Sequence, residues 1–188
     1  MDWLLSIVRI AGASFPGASS LVQFHAEIDS KALLQRVSRL EDPISFLHNL
    51  VPELSKHIYE AIKSTNSSKV EFNDSLYDKY SRPLSVLESK GFIKISYALD
   101  NEVIISFRVI DPSFIMYLCA IVESREKMES LLIEVENCPK GKWLIGNKIQ
   151  DSLGLPLPVI QAVFDIYKAK GYGLSSKEIG APKYTNKA

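Results

Sequence analysis

The sequence is poor in cysteine, has no long apolar run and carries no net charge, and each shortage excludes a class of protein. Two cysteines in 188 residues, Cys119 and Cys138, cannot build a disulfide framework. Neither stands in a CxxC or Cys/His ligand spacing, and His25, His48 and His57 are scattered with no partner at such a spacing. No metal site is expected, and both thiols read as buried thiols of a reducing cytosol. No apolar run approaches the roughly 18 residues of a membrane span. Lys+Arg and Asp+Glu both number 22, which argues against a strongly basic nucleic-acid binder. Signatures of catalysis are missing as well: no GxSxG, no glycine-rich phosphate loop and no HExxH. The acid pairs Glu41-Asp42 and Glu134/Glu136 fall on helical segments and read as solvated faces. Ser19 and Ser20 lie near His25 but have no third group to orient a base. The chain is therefore expected to be no enzyme and to need no cofactor.

What is present is ordinary for a globular protein, with 46% apolar and 23% charged residues. The N-terminus, Met1 to Ala13, has an acid where a signal peptide needs a basic region, and Arg9 interrupts its apolar core. It reads as a retained segment of a cytoplasmic protein. Charge is unevenly spread: residues 111–138 hold 2 Lys/Arg against 6 Asp/Glu, and residues 139–188 hold 8 against 3.

The spacing predicts a mostly α (α+β) chain. Residues 1–42 form an N-terminal helical region, with helices over 3–10 and about 20–40. Asp42-Pro43 starts a helix that carries Leu54, Ile58, Ala61 and Ile62 on one buried face. Val70-Glu71-Phe72 is a short strand, a short helix follows to Tyr80, and Ser81-Arg82-Pro83 opens another. Phe92–Tyr97 and Val103–Val109 alternate as a hairpin with its tip at 99–102. Asp111-Pro112 starts a helix so apolar that it must be covered, read as a connector over 111–124. A second unit runs from 125 to 180, with a turn at 139–142, a helix over Trp143–Leu153 and another after Pro158. Residues 181–188 read as a flexible tail.

One pattern occurs twice. Pro83 to Phe92 and Pro158 to Tyr172 each read as a helix opened by proline, closed by Lys-Gly and followed by an aromatic residue. Helix, Lys-Gly, aromatic and strand resembles the passage from the third helix of a winged-helix domain into its wing. The resemblance covers about 43–180, as two winged-helix units over 43–110 and 125–180. Tandem winged helices in a small, near-neutral chain are similar to the accessory subunits of SMC-type complexes. They are also similar to small winged-helix proteins encoded beside SMC-like ATPases in bacterial antiviral defence. That likeness implies a non-catalytic subunit that binds protein partners in a DNA-associated assembly. The alternative is a free-standing winged-helix transcription regulator.

The helix after Pro158 is too apolar for base readout, so it is expected to meet a protein through Leu157, Ile160, Gln161 and Phe164, with Trp3 and Leu4 as a second apolar handle. DNA contact is expected to be weak, indifferent to sequence and made to phosphates by Lys79, Arg82, Lys140, Lys142, Lys148 and Lys177. A homodimer is also compatible with these surfaces.

Overall fold

The structure, a computed structural model, describes residues 49–71, 74–97, 104–178 and 181–187. The helices expected within 1–42, the Asp42-Pro43 start and the hairpin tip at 99–102 lie outside the described residues. The described residues form six helices and two three-stranded antiparallel sheets, an α+β arrangement.

The first half runs α1 (Val51–Thr65), β1 (Lys69–Glu71), α2 (Asp74–Ser89), β2 (Ile93–Tyr97) and β3 (Ile104–Val109). Then come α3 (Pro112–Val122) and α4 (Arg125–Glu136), and after them β4 (Leu144–Ile145), α5 (Gly146–Leu153), α6 (Leu157–Ala169), β5 (Gly173–Glu178) and β6 (Ala181–Asn186). In both sheets the last strand is central: β1-β3-β2 in the first and β4-β6-β5 in the second.

The two halves leave their last helix in the same way. The Phe92 amide donates to the Leu87 carbonyl at 3.0 Å, and the Gly91 amide to Glu88 at 2.8 Å. Tyr172 and Gly171 repeat this with Tyr167 at 3.0 Å and Lys168 at 2.9 Å. The bond from the aromatic amide back into the last turn closes the helix only if the residue before the aromatic is left-handed. Gly91 has φ 76° and Gly171 φ 81°, which is why the pattern needs glycine there.

Three elements differ from the sequence reading. First, no break occurs at Ser81-Arg82-Pro83: α2 is one helix with a buried Pro83 inside it. An interior proline costs about 3 kcal/mol. Tyr80, Leu84 and Leu87 form one stripe at helical spacing, all at most 1% exposed. Burying three large apolar side chains stabilises by about 1.5–3 kcal/mol each, which outweighs the proline. Second, Trp143 is not helical; Leu144 and Ile145 form a strand and the helix starts at Gly146. Third, 181–186 is no tail. It is the central strand β6, paired from Ala181 to Asn186 with β5. Tyr184 is fully buried and stacks on Phe164 at 5.3 Å between ring centres. Asn186 fastens the strand by donating through Nδ2 to the carbonyls of Val135, Glu136 and Cys138 at the end of α4. Gly173 opens β5 beside this strand, where a Cβ would collide with the Tyr184 hydroxyl and the Thr185 carbonyl.

The helix α3 is more than a connector. Asp111 caps it by accepting from the Phe114 amide at 2.7 Å. Every residue from Ser113 to Cys119 is buried, because α1 and β3 cover one side and α6 the other. The buried apolar residues form one cluster that runs through both halves, from Val51 to Tyr184. A unit of about 60 residues alone buries only about 60% of the surface its unfolded chain exposes, less than a larger domain does. Sharing α3 enlarges the core of both.

Candidate functional site

The apolar helices expected to hold a partner hold each other. Ile160 and Phe164 are fully buried, Phe164 against Tyr184 and α6 against α3. The surplus apolar surface read from the sequence is thus satisfied within the chain. Leu157 and Gln161 are half-buried. Gln161 Nε2 donates to Asp165 Oδ1 at 2.7 Å, and Ser175 Oγ reaches the same oxygen at 3.3 Å. Trp3 and Leu4 lie outside the described residues.

The apolar residues that do reach solvent are elsewhere. Trp143 is 49% exposed and Leu174 50% exposed. In the second sheet Leu144 is paired with Tyr184, and Leu174 with Thr185. Tyr184 faces the core, so alternation puts Ile145 and Leu174 on the outward face, and the exposed Trp143 directly precedes β4. The second sheet therefore shows an apolar outer surface on either side of its central strand.

The basic residues expected at a phosphate contact fall on α2, the turn after α4, α5 and β5. Lys79 is engaged: its Nζ lies 2.7 Å from Glu53 Oε1 and above the Tyr80 ring. That contact lowers the Glu53 carboxyl below its usual range and raises the lysine. Arg82 is exposed on α2 with Ser85 and Ser89. Lys140 and Lys142 are exposed on the turn after α4, where Gly141 has φ 75°. Cys138 anchors that turn by donating to the Lys142 carbonyl at 3.3 Å. Lys148 is exposed on α5. Lys177 is placed by its backbone in β5, opposite Pro182.

Sequence reasoning missed a second set of cations. The register of the first sheet sets Arg108 of β3 between Lys69 of β1 and Lys94 of β2. All three are exposed, while Val70, Phe107 and Ile95 in the next row are buried. Alternation alone marks Lys94 and Arg108 as outward. Their meeting depends on pairing between strands far apart in the chain.

Two junctions hold the halves together. At one, Asn66 has φ 52° and ends α1. Its Oδ1 accepts from the Leu157 amide at 2.7 Å and from Gln150 Nε2 at 3.1 Å. Pro158 has no amide, and the Val159 and Ile160 amides both reach the Pro156 carbonyl, so Leu157 is the amide of this turn left for a cap from outside. Beside this contact a cleft of about 540 Å³ separates Ser67, Arg108 and Ile110 from Leu157, Gln161 and Asp165.

At the other junction Glu123 follows α3 with its side chain 6% exposed. It accepts from Lys63 Nζ at 2.7 Å, Lys127 Nζ at 3.0 Å and the Tyr59 hydroxyl at 3.1 Å. Burial alone would raise its carboxyl, but the two lysines outweigh that and hold it below the usual range. Burial and the same carboxylate push the Tyr59 phenol up.

Burial pushes the neighbouring Cys119 thiol up to about 12, so it is protonated at neutral pH, and its Sγ lies 3.1 Å from Met128 Sδ. Among the described residues no group of three or more His, Cys, Asp or Glu is placed to hold a metal ion. Nor is any described helix long and apolar enough to cross a membrane. No protein-family model, curated protein or solved structure matches this chain.

Proposed function

We propose that the chain is a non-catalytic tandem winged-helix protein that works as an adaptor in a DNA-associated assembly of the SMC-like or antiviral-defence kind. The observation that carries this reading is that α6, the third helix of the second unit, is enclosed between α3 and its own sheet. A helix so covered cannot enter a major groove, where base readout by such folds takes place. The second unit therefore serves contact with protein, and its outward sheet face, where Trp143 and Leu174 are exposed, is the surface assigned to that contact. An aromatic anchor beside aliphatic side chains is the usual make-up of an interface centre. The first unit keeps an exposed helical face at Arg82, Ser85 and Ser89, short and polar enough for phosphate contact.

The test is affinity capture with the full chain and with Trp143→Asp/Leu174→Asp, both checked for folding. The adaptor reading expects the partner to be lost from the variant while the melting temperature holds. The exposed Arg82 face favours the second reading, a free-standing regulator. A discrete footprint on genomic DNA that survives physiological salt, together with no captured partner, would put that reading first.

A further inference from the structure

We propose that the outward face of the first sheet is a phosphate track, on which Lys69, Arg108 and Lys94 grip the phosphodiester backbone of a nucleic acid. This rests on the reading of a DNA-associated adaptor, but assigns the contact to a surface other than the turn and helix lysines.

Strand register brings the three cations together. Lys69 pairs with Arg108, and Arg108 with Lys94, across three strands. Strands lie about 4.8 Å apart, so three cations stand in a line about 10 Å long. Directly opposed side chains of like charge destabilise an antiparallel pair. The fold does not ask for them. The facing core needs only Val70, Phe107 and Ile95 beneath, and the neighbouring row on the cations' side holds exposed Glu71 and Ser96 with a buried Ser106 between them. The second sheet, with the same strand order, shows the rows Ile145–Lys183–Ser176 and Thr185–Leu174, with one lysine between them.

The cations are also little neutralised. Among the described residues Lys94 and Arg108 have no ion-pair partner, and Lys69 has only Glu71 at 3.7 Å, with 49% and 84% of the two side chains exposed. Glu88 of α2 is occupied, accepting the Ile95 amide at 2.8 Å. Arg108 also borders the cleft between the halves, with Ser67 and Ser68 beside it and Asp165 on the far wall. Evenly stepped cations across three strands, with hydroxyls at one end, suit a ligand whose negative charge repeats at fixed intervals. A nucleic-acid backbone is that ligand, and such a contact carries no sequence information.

The experiment is fluorescence anisotropy with the full chain, a random-sequence DNA duplex and a single strand of equal length, between 50 and 200 mM salt. Three phosphate contacts on a duplex give a salt slope of about −2.7, so that their share of the affinity falls about 40-fold over that range. The variant Lys69→Gln/Lys94→Gln/Arg108→Gln should weaken binding on every sequence and flatten the slope by about 2 to 3 on duplex, and by about 2 on single strand. Its melting temperature should not fall, since opposed like charges are removed. Lys140→Gln/Lys142→Gln serves as the comparison. If that pair loses binding and the row variant keeps both affinity and slope, the track is refuted and the adaptor reading stands. If the wild type binds neither nucleic acid at 50 mM salt, or binds an acidic peptide or anionic vesicles more tightly than the duplex, the track is refuted as well. The partner capture above then judges the adaptor separately.

Discussion

Replacing Asn66 separates two contributions that one residue makes to the joint between the halves. Its backbone is left-handed at φ 52°, and its Oδ1 caps the first amide of α6 at 2.7 Å. Asn66→Gly keeps the backbone free of strain and removes the cap. An N-cap is worth about 0.5–2 kcal/mol; Asn66 is exposed, water competes, and about 1 kcal/mol is expected. Asn66→Ala also removes the cap and adds about 1–2 kcal/mol for a Cβ in the left-handed region, for about 2–3 kcal/mol in all. Asn66→Asp keeps the acceptor oxygen and adds a negative charge that is favourable at the N-terminus of α6 and unfavourable at the C-terminus of α1, so it should stay near wild type. For a chain of this size 1 kcal/mol shifts the melting temperature by about 2–4 °C, which puts Asn66→Gly about 3 °C and Asn66→Ala about 6 °C below wild type and Asn66→Asp level with it. Hydrogen exchange at the Leu157 amide reads the cap directly and should quicken in Asn66→Gly and Asn66→Ala alone. Equal stability of Asn66→Gly and wild type, with unchanged exchange at Leu157, would refute the cap. Equal stability of Asn66→Gly and Asn66→Ala would refute the strain.

Three further outcomes follow from the packing and the charges. Phe164→Ala empties a fully buried ring site between α6 and Tyr184 and should cost about 3–5 kcal/mol in urea unfolding, whereas Leu157→Lys at the half-buried rim should cost far less. Glu123 has a lowered folded pKa, so its contribution is present above the unfolded carboxylate pKa of about 4.3 and is lost as pH falls through the folded value. Glu123→Gln should therefore lower stability at pH 7 by about 1–2 kcal/mol and flatten the acid limb of the stability curve; an acid limb as steep as that of wild type would contradict the network. Arg108→Gln removes two opposed like-charge contacts and should raise stability slightly, by about 0.5 kcal/mol, an effect that should shrink in high salt.

Much of the local structure was legible because it depends on neighbours in sequence. Asp111-Pro112 marks the cap of α3, and Lys-Gly-aromatic marks two helix ends with the same hydrogen bonds. The apolar character of α3 and α6 was equally plain, and it correctly required cover. What covers them was not legible, since each hides the other from residues about forty positions away. Pro83 misled for a related reason: a proline reads as a helix start unless the burial of Tyr80, Leu84 and Leu87 is known to offset it. The strand β6 was hidden because Lys183, Thr185 and Asn186 look like a polar tail, although Pro182 and Tyr184 alternate with them into the core. The cap made by Asn66 and the meeting of Lys69, Arg108 and Lys94 in one row had no sequence signal of their own. One depends on a contact 91 residues away and the other on strand register.

The central position of β6 bears on how the chain is made. Synthesis runs from the N-terminus, so β4 and β5 emerge before the strand that must lie between them. Until Ala181–Asn186 is added, the two have no common neighbour, and Phe164 lacks the ring that covers it. The first sheet, by contrast, is complete once Val109 has been added, well before α6 exists to close over α3. The nascent protein thus passes through an interval with a finished first sheet, an uncovered α3 and two open strand edges. Exposed apolar surface and open edges are what chaperones bind and what aggregates. A released chain that ends before Ala181 should be cut by proteases within the second half and spared in the first.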